Sequence, residues 1–463
     1  MPLPPKLAVA PISLRRYNRL LGSRKFFTNS DYLRKGRGMD LPVGISTLQG
    51  TDRWIGAPLC AILTILRRIF EFAAPPWPRE VRRILFVKFA EQGSTVLAYP
   101  AIRRAIDLVG RENVYFVVFE GNRFILDAMN VIPEENVITI ATHSLFGLAL
   151  SGVRAVHRVR KIRIDAVVDL EFLTRFSAML TFATGAKSRV GFHTFFGDGP
   201  YRGDLMTHRL LYNPHLHTSE MFEAMVEALI RDPAVLPAFD FTPSANQSLP
   251  RFQPSPTEVA EVNALLQREN PRIGSAPLIL LNPNASDLLP LRRWPALRYV
   301  ELAQRLLERY PDLFIGFTGS PAEAAQNNRL ADEVGSNRVL GLAGKTTLRQ
   351  VLVLYTRSEI LVTNDSGPAH FASMTPIRVV TLFGPETPAL FAARSANATA
   401  LWAGIACSPC VNAYNNRQSV CRNNLCMQAI TVDEVFENVI RIYDSRKRIT
   451  YDIKHPLHSE RAV

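Results

Sequence analysis

Residues 364–370 read Asn-Asp-Ser-Gly-Pro-Ala-His and come directly after the apolar run ILVT. The apolar run has the character of a buried strand. Pro368 suits the first turn of a helix, where its missing N–H would be unpaired anyway. Asp365, Ser366 and Gly367 then form the turn between strand and helix. Asp or Ser at such a point can cap the helix, and Gly lets a ligand approach the backbone. The exposed N–H groups of a helix start, with the helix dipole behind them, favour phosphate. Asp365 can take a sugar hydroxyl, and His370 falls in the first helical turn. Taken alone, the same residues are ordinary helix-start chemistry with a structural histidine, so the elements around them decide.

Those elements alternate. From position 82 the segments 82–89, 113–119, 136–140 and 166–170 read as apolar strands with helical stretches between them, the first at 100–109. After a Pro- and Ser-rich stretch at 241–258, which reads as a linker, the pattern restarts. Strands are expected at 277–283, 313–319, 339–344, 359–364 and 378–384, with helices at 294–310 and 348–358. Unbroken apolar strands alternating with helices imply parallel sheets and an α/β fold. Two such doubly wound units would face each other across a cleft, with ligands at the carboxyl ends of the strands. The organisation expected is an arm (1–80), a first domain (81–245), a second domain (246–445) and a charged tail (446–463).

At 463 residues the chain is long enough for two cores. Its net charge of +13 is not spread evenly, for residues 1–83 hold 15 Lys/Arg against 5 Asp/Glu. A basic arm rather than a basic domain argues against nucleic acid as the ligand. The stretch 55–66 is too short to span a bilayer and ends on Arg67 and Arg68. As an amphipathic helix it lies either on an anionic membrane or on the protein's own body. The start shows no secretory signal pattern, and a reducing, cytosolic setting fits the chain.

The run VTNDSGPAHFASMTPIRVVTLFGPETP closely resembles the signature of the ADP-heptose:lipopolysaccharide heptosyltransferases, glycosyltransferase family nine. Further segments resemble the family in order: ILFVKFAEQGSTVLAYPAIRRAI (84–106), IDAVVDLEFLTRFSAML (164–180), SRVGFH (188–193), LNPNASDLLPLRRWP (281–295), TGSPAE (318–323), LAGKTTL (342–348) and the cysteine-containing close at 407–430. The resemblance covers nearly all of 82–440. It implies a GT-B fold, two Rossmann-like domains facing a cleft. It also implies an inverting transfer of a heptose-like sugar from a nucleotide diphosphate, ADP-linked in the family, to a lipid-linked or lipopolysaccharide saccharide. No metal is required in the family's cleft. A peripheral position on the inner-membrane face, held by the basic arm, is a further expectation.

The resemblance also distributes roles. The amides at Ser366 and Gly367, with Asp365, His370 and Ser286, would hold the donor. Arg292 matches the family's basic residue two before Trp294, with Arg293 as the rival. Glu323 matches a ribose-contact position, although an acid in a first helical turn is equally expected there. Arg175 matches a basic residue that looks toward the acceptor in the family, and Arg189 lies in the matching SRVGF segment, where it either addresses the acceptor or makes a structural ion pair; Gly93 and Ser94 are placed at the acceptor too. Here the chain departs from the pattern, because the family has Gly-Asp where this sequence has Gly93-Ser94. Serine is no base at neutral pH, so Glu91, three residues earlier, is the candidate base, with Asp169, Glu171 and Asp365 as rivals. A nucleotide-binding protein without catalysis, or a sugar-nucleotide epimerase, are the competing readings. Finally, Cys407, Cys410, Cys421 and Cys426 have a spacing that could bind a structural zinc; two disulfides or free thiols are the alternatives. Cys60 is expected to be simply apolar.

Overall fold

The computed structural model describes residues 45–70, 80–89, 91–197, 199–244, 249–286, 289–415 and 417–454. Most of the basic arm, part of the linker and the last nine residues of the tail therefore lie outside the described residues. Two helices of the arm are described, α1 (Ile45–Trp54) and α2 (Gly56–Phe70).

The first domain strings β1 (Ile84–Val87), α3 (Gln92–Leu97), α4 (Tyr99–Val109), β2 (Val114–Phe119), α5 (Arg123–Met129), β3 (Val137–Ile140), α6 (Leu145–Ile162) and β4 (Ala166–Asp169). It continues with α7 (Arg175–Ala183), β5 (Ser188–Phe192), β6 (His208–Leu210) and α8 (Thr218–Ala228). Its strands pair in parallel in the order β3-β2-β1-β4-β5-β6. The side chains of β1 alternate between two cores. Ile84 and Phe86 join α4 and α8 on one face, while Leu85 and Val87 join α6 and α7 on the other. Burial on both faces is why these strands read as unbroken apolar runs.

The second domain repeats the plan after α9 (Pro256–Glu269), which opens on a capping box between Ser255 and Glu258. It contains β7 (Leu278–Asn282), α10 (Ala296–Arg309), β8 (Phe314–Phe317), α11 (Ala324–Glu333), β9 (Val339–Gly341), α12 (Leu348–Arg357), β10 (Ile360–Asn364) and α13 (Gly367–Ala372). Next come β11 (Arg378–Phe383), α14 (Pro388–Phe391), β12 (Ala398–Trp402), α15 (Leu425–Gln428) and α16 (Val432–Lys454). The sheet order is β12-β11-β10-β7-β8-β9, all parallel. In both sheets the strand order reverses beside the first strand, between β1 and β4 and between β7 and β10. Such reversals open a crevice at the carboxyl ends of the strands.

Two expectations change. The charged tail placed at 446–463 begins as helix, since α16 runs to Lys454. The strands β5, β6 and β12 were not expected as strands; β6 has three residues, and β12 is an edge strand in which only Leu401 is buried. No described helix is long and apolar enough to cross a membrane.

Candidate functional site

The register sets the site. Val87 of β1 pairs with Asp169 of β4, and Thr363 of β10 pairs with Asn282 of β7, so each pair of strands ends at one level. The loops that leave each pair of strands therefore enter the same crevice. The two crevices meet where α3 and α13 start. A methyl group built on Gly93 would stand 2.5 Å from the His370 ring and 3.4 Å from the Gly367 Cα. Only glycine lets the helix starts approach this closely.

On the second-domain side, Asn364 ties the motif to its neighbour loop. Its amide group donates to the carbonyls of Pro283 (3.0 Å) and Asn284 (3.1 Å). Its side-chain oxygen accepts from the Trp294 N–H and the Tyr299 hydroxyl, both at 3.0 Å. This fixes the 283–294 loop so that Arg292 faces Asp365 at 3.7 Å. Arg293 points away and donates to the Ala285 carbonyl at 2.8 Å, which separates the two rival arginines. Ser366 precedes α13 with extended backbone, and its hydroxyl donates to the Asn364 carbonyl at 3.1 Å, leaving no side-chain cap on the helix.

Several buried polar atoms converge here without a hydrogen-bond partner: Arg292 Nε, Asp365 Oδ2, His370 Nδ1 and Glu386 Oε1. Buried polar atoms are normally satisfied, so such a group marks a place built for something else. Burial, with Glu386 adding repulsion, pushes the Asp365 carboxyl up to about 7, against the pull of Arg292 and Arg417. Burial and then Arg292 hold His370 neutral, with its pKa down to about 4.

On the first-domain side, Lys88 is fully buried after β1, 3.2 Å from Glu171 and 3.6 Å from Glu91, with its ammonium over the Phe172 ring. Glu91 adopts a left-handed backbone (φ 64°) before α3. For a residue with a side chain that conformation costs about 1 kcal/mol, and strain of this kind gathers at functional sites. Its carboxylate pairs with Arg417, whose backbone is also left-handed (φ 53°). Arg417 also reaches Glu386 at 3.7 Å and lies over the rings of Phe172 and Phe391. Desolvation alone would raise the Glu91 pKa, but Arg417, then Lys88 and Arg292, carry it down to about 2. Glu91, Glu386 and Asp365 in turn hold the Arg417 charge more firmly than usual despite its desolvation.

Most of the remaining expected residues fall elsewhere, and Ser94 and Glu171 support the site from behind. Asp169 is not presented to the crevice. It is fully buried, salt-bridged to Arg202, and accepts from the Ser177 hydroxyl at 2.9 Å. Arg189 is buried, and donates to the carbonyls of Leu205 (2.8 Å) and Ala186 (2.7 Å). Arg175 holds the arm, with Asp52 of α1 at 3.3 Å and the Tyr201 carbonyl at 2.7 Å. Glu323 closes a capping box on Ser320. Ser286 is exposed beside the loop, and Ser94 is buried with its hydroxyl on the Glu91 carbonyl. Glu171 accepts from the Phe89 N–H at 2.6 Å and holds Lys88.

All five cysteines are free thiols. Among the described residues no group of three or more His, Cys, Asp or Glu is arranged to hold a metal ion. The thiolate site expected from Cys407, Cys410, Cys421 and Cys426 is thus not formed in this structure. Cys410 turns to Ser419, Cys421 to the Asn423 carbonyl and Cys426 into the core beside Met427, while Cys407 is exposed; the four still lie near one another, since the other three thiols help burial raise the Cys426 pKa. Cys60 is buried, and burial pushes its thiol up to about 11.

Sequence reasoning passed over Lys88, Glu386 and Arg417. Lys88 has the one available signal, a lysine immediately after an apolar strand. Arg417 sits in a loop with no pattern to mark it.

The family described as Glycosyltransferase family 9 (heptosyltransferase) matches residues 153–420. Lipopolysaccharide heptosyltransferase 2 of Escherichia coli (strain K12) is 28% identical over 242 residues, which cover 50% of this chain and 63% of that protein. The match therefore spans less than two thirds of that relative's length. The structure of E. coli ADP-heptose lps heptosyltransferase II superposes with a TM-score of 0.58 at 20% identity, covering 79% of this chain and 99% of that one. E. coli heptosyltransferase WaaC with ADP gives 0.53 at 17% identity, covering 78% and 99%. At these identities the likeness is one of fold, the GT-B arrangement of two Rossmann-like domains.

Proposed function

The chain belongs to glycosyltransferase family 9, the heptosyltransferases, and from that premise we propose that it moves a heptose-like sugar from an ADP-linked donor to a lipid-linked or lipopolysaccharide saccharide, inverting the anomeric configuration. One observation carries the reading: unpartnered Arg292 Nε, Asp365 Oδ2 and His370 Nδ1 meet at the uncapped start of α13. A guanidinium and open amides suit a diphosphate; a carboxyl oxygen and an imidazole nitrogen left without hydrogen bonds suit sugar hydroxyls.

In this mechanism the acceptor hydroxyl oxygen attacks the anomeric carbon as the bond from that carbon to the diphosphate oxygen breaks. Charge grows on the leaving diphosphate, where Arg292, Arg417 and the amides of Ser366 and Gly367 oppose it. The hydroxyl proton passes to Glu91. With Arg417 against it, Glu91 is a weak base. A bound diphosphate brings negative charge that competes for Arg417 and raises the proton affinity of Glu91. Donor binding therefore activates the base. The low pKa of Glu91 also favours a second reading, a nucleotide-binding protein without catalysis.

The test is ADP release from ADP-heptose in the presence of a heptose-accepting lipid-linked saccharide. Acceptor-dependent release with inverted product supports the transferase. Nucleotide binding without any release supports the second reading, and absence of both sinks the assignment.

A further inference from the structure

We propose that the outward face of α2 is a docking surface for an anionic lipid bilayer, with the helix lying in the interfacial plane. This goes beyond the transferase reading and does not depend on it.

The helix is built inside out. Its inner stripe is Gly56, Cys60, Leu63, Thr64 and Arg67. Gly56 presses on Arg175, Cys60 packs with Ala178, Leu205 and Met206, and Arg67 pairs with Asp204 at 2.8 Å. The stripe that faces water is Ile55, Leu59, Ile62, Leu66, Ile69 and Phe70, at the spacing of one helical face. Ile62 is 53% exposed, Ile69 63% and Phe70 80%. A surface helix of a water-soluble domain normally reverses this pattern. An unpartnered apolar stripe of this size marks an interaction surface.

Charge selects the partner. Between residues 45 and 70 the sole acid is Asp52, and it is turned inward to Arg175 and the Phe176 N–H. Arg53 and Arg68 are exposed. The preceding residues 1–44 carry nine Lys/Arg against two Asp/Glu. Apolar side chains flanked by basic ones match an anionic headgroup layer over acyl chains. At 15 residues α2 is too short to cross the hydrocarbon, which leaves the in-plane orientation. A second helix agrees: α6, which packs on α7 as α2 does, turns Phe146 and Val153 outward beside exposed Arg154.

The experiment is co-sedimentation of the full chain with vesicles of phosphatidylglycerol and phosphatidylethanolamine, and with vesicles of phosphatidylcholine alone. The wild type is expected to bind the anionic vesicles and to bind the neutral ones more weakly. The double variant Ile62→Glu, Ile69→Glu should lower the partition coefficient at least about tenfold, since it places two charges in the apolar stripe. Leu297→Glu, at an exposed site on α10, should leave it unchanged. Unaltered melting and ADP-induced thermal shift in the double variant would show that its fold and cleft persist. Wild-type partitioning in the double variant overturns the proposal, as does failure of the wild type to bind anionic vesicles. A wild-type dimer that the double variant dissociates, with no vesicle binding, overturns it in favour of a second copy on this face.

Discussion

Two charged side chains from opposite domains, Glu91 and Arg417, meet in left-handed backbone at the centre of the crevice. Replacing Glu91 by Gln should reduce turnover at least about a hundredfold, with the ADP-induced thermal shift retained; full activity would remove Glu91 from the mechanism. Glu91 also makes stability depend on pH. Its pKa falls from 4.5 to about 2 on folding, so its contribution is complete above about pH 4.5 and is lost as pH falls toward 2. Denaturant melts of wild type and Glu91→Gln should accordingly converge at low pH. Asp365 behaves in the opposite sense. Its pKa rises from 3.8 to about 7, so its contribution is complete below about pH 3.8 and is lost as pH climbs through 7. Asp365→Asn should gain on wild type by up to about 4 kcal/mol between acid and pH 8, read from urea unfolding at both pH values. Stability curves that stay parallel would contradict the raised pKa.

Among the elements, the strand–turn–helix at 360–372 was legible because its signals are local: an apolar strand, a Gly-Pro helix start, an acid at the turn. So were β1 and β4, whose unbroken apolar runs announce burial on both faces. The partners of those elements were not legible. Whether Asp169 faces solvent or Arg202 depends on a residue 33 positions away, and Arg417 reaches Glu91 across 326 positions. Spacing carries no trace of such pairings. It likewise could not distinguish Arg189 on backbone carbonyls from an arginine awaiting a ligand. Geometry at the element scale gives its own prediction. Gly93→Ala sets a methyl against the His370 ring, forcing α3 and α13 apart. Overpacking of this kind costs about 1–3 kcal/mol. The variant should melt lower and lose donor affinity in the same protein; unchanged ADP binding would show that the helix starts need not approach each other.

At the scale of the molecule, the two domains are joined by more than the linker. Tyr414 donates to the Tyr212 carbonyl, Arg394 pairs with Glu220 at 2.5 Å, and Phe124 and Phe371 meet edge to face. These contacts cross directly between the two domains. On the proposed reading, Arg292 and Arg417 supply the positive charge that opposes the diphosphate. A chelator is therefore expected to change turnover by less than about twofold; a tenfold loss would mean that the arginines do not suffice. The most direct test of the central claim is a crystal structure of the protein with ADP. The β-phosphate is expected within hydrogen-bonding distance of the Ser366 and Gly367 amides, with Arg292 against it. ADP lodged elsewhere, or those amides covered by protein side chains in the complex, would contradict the account.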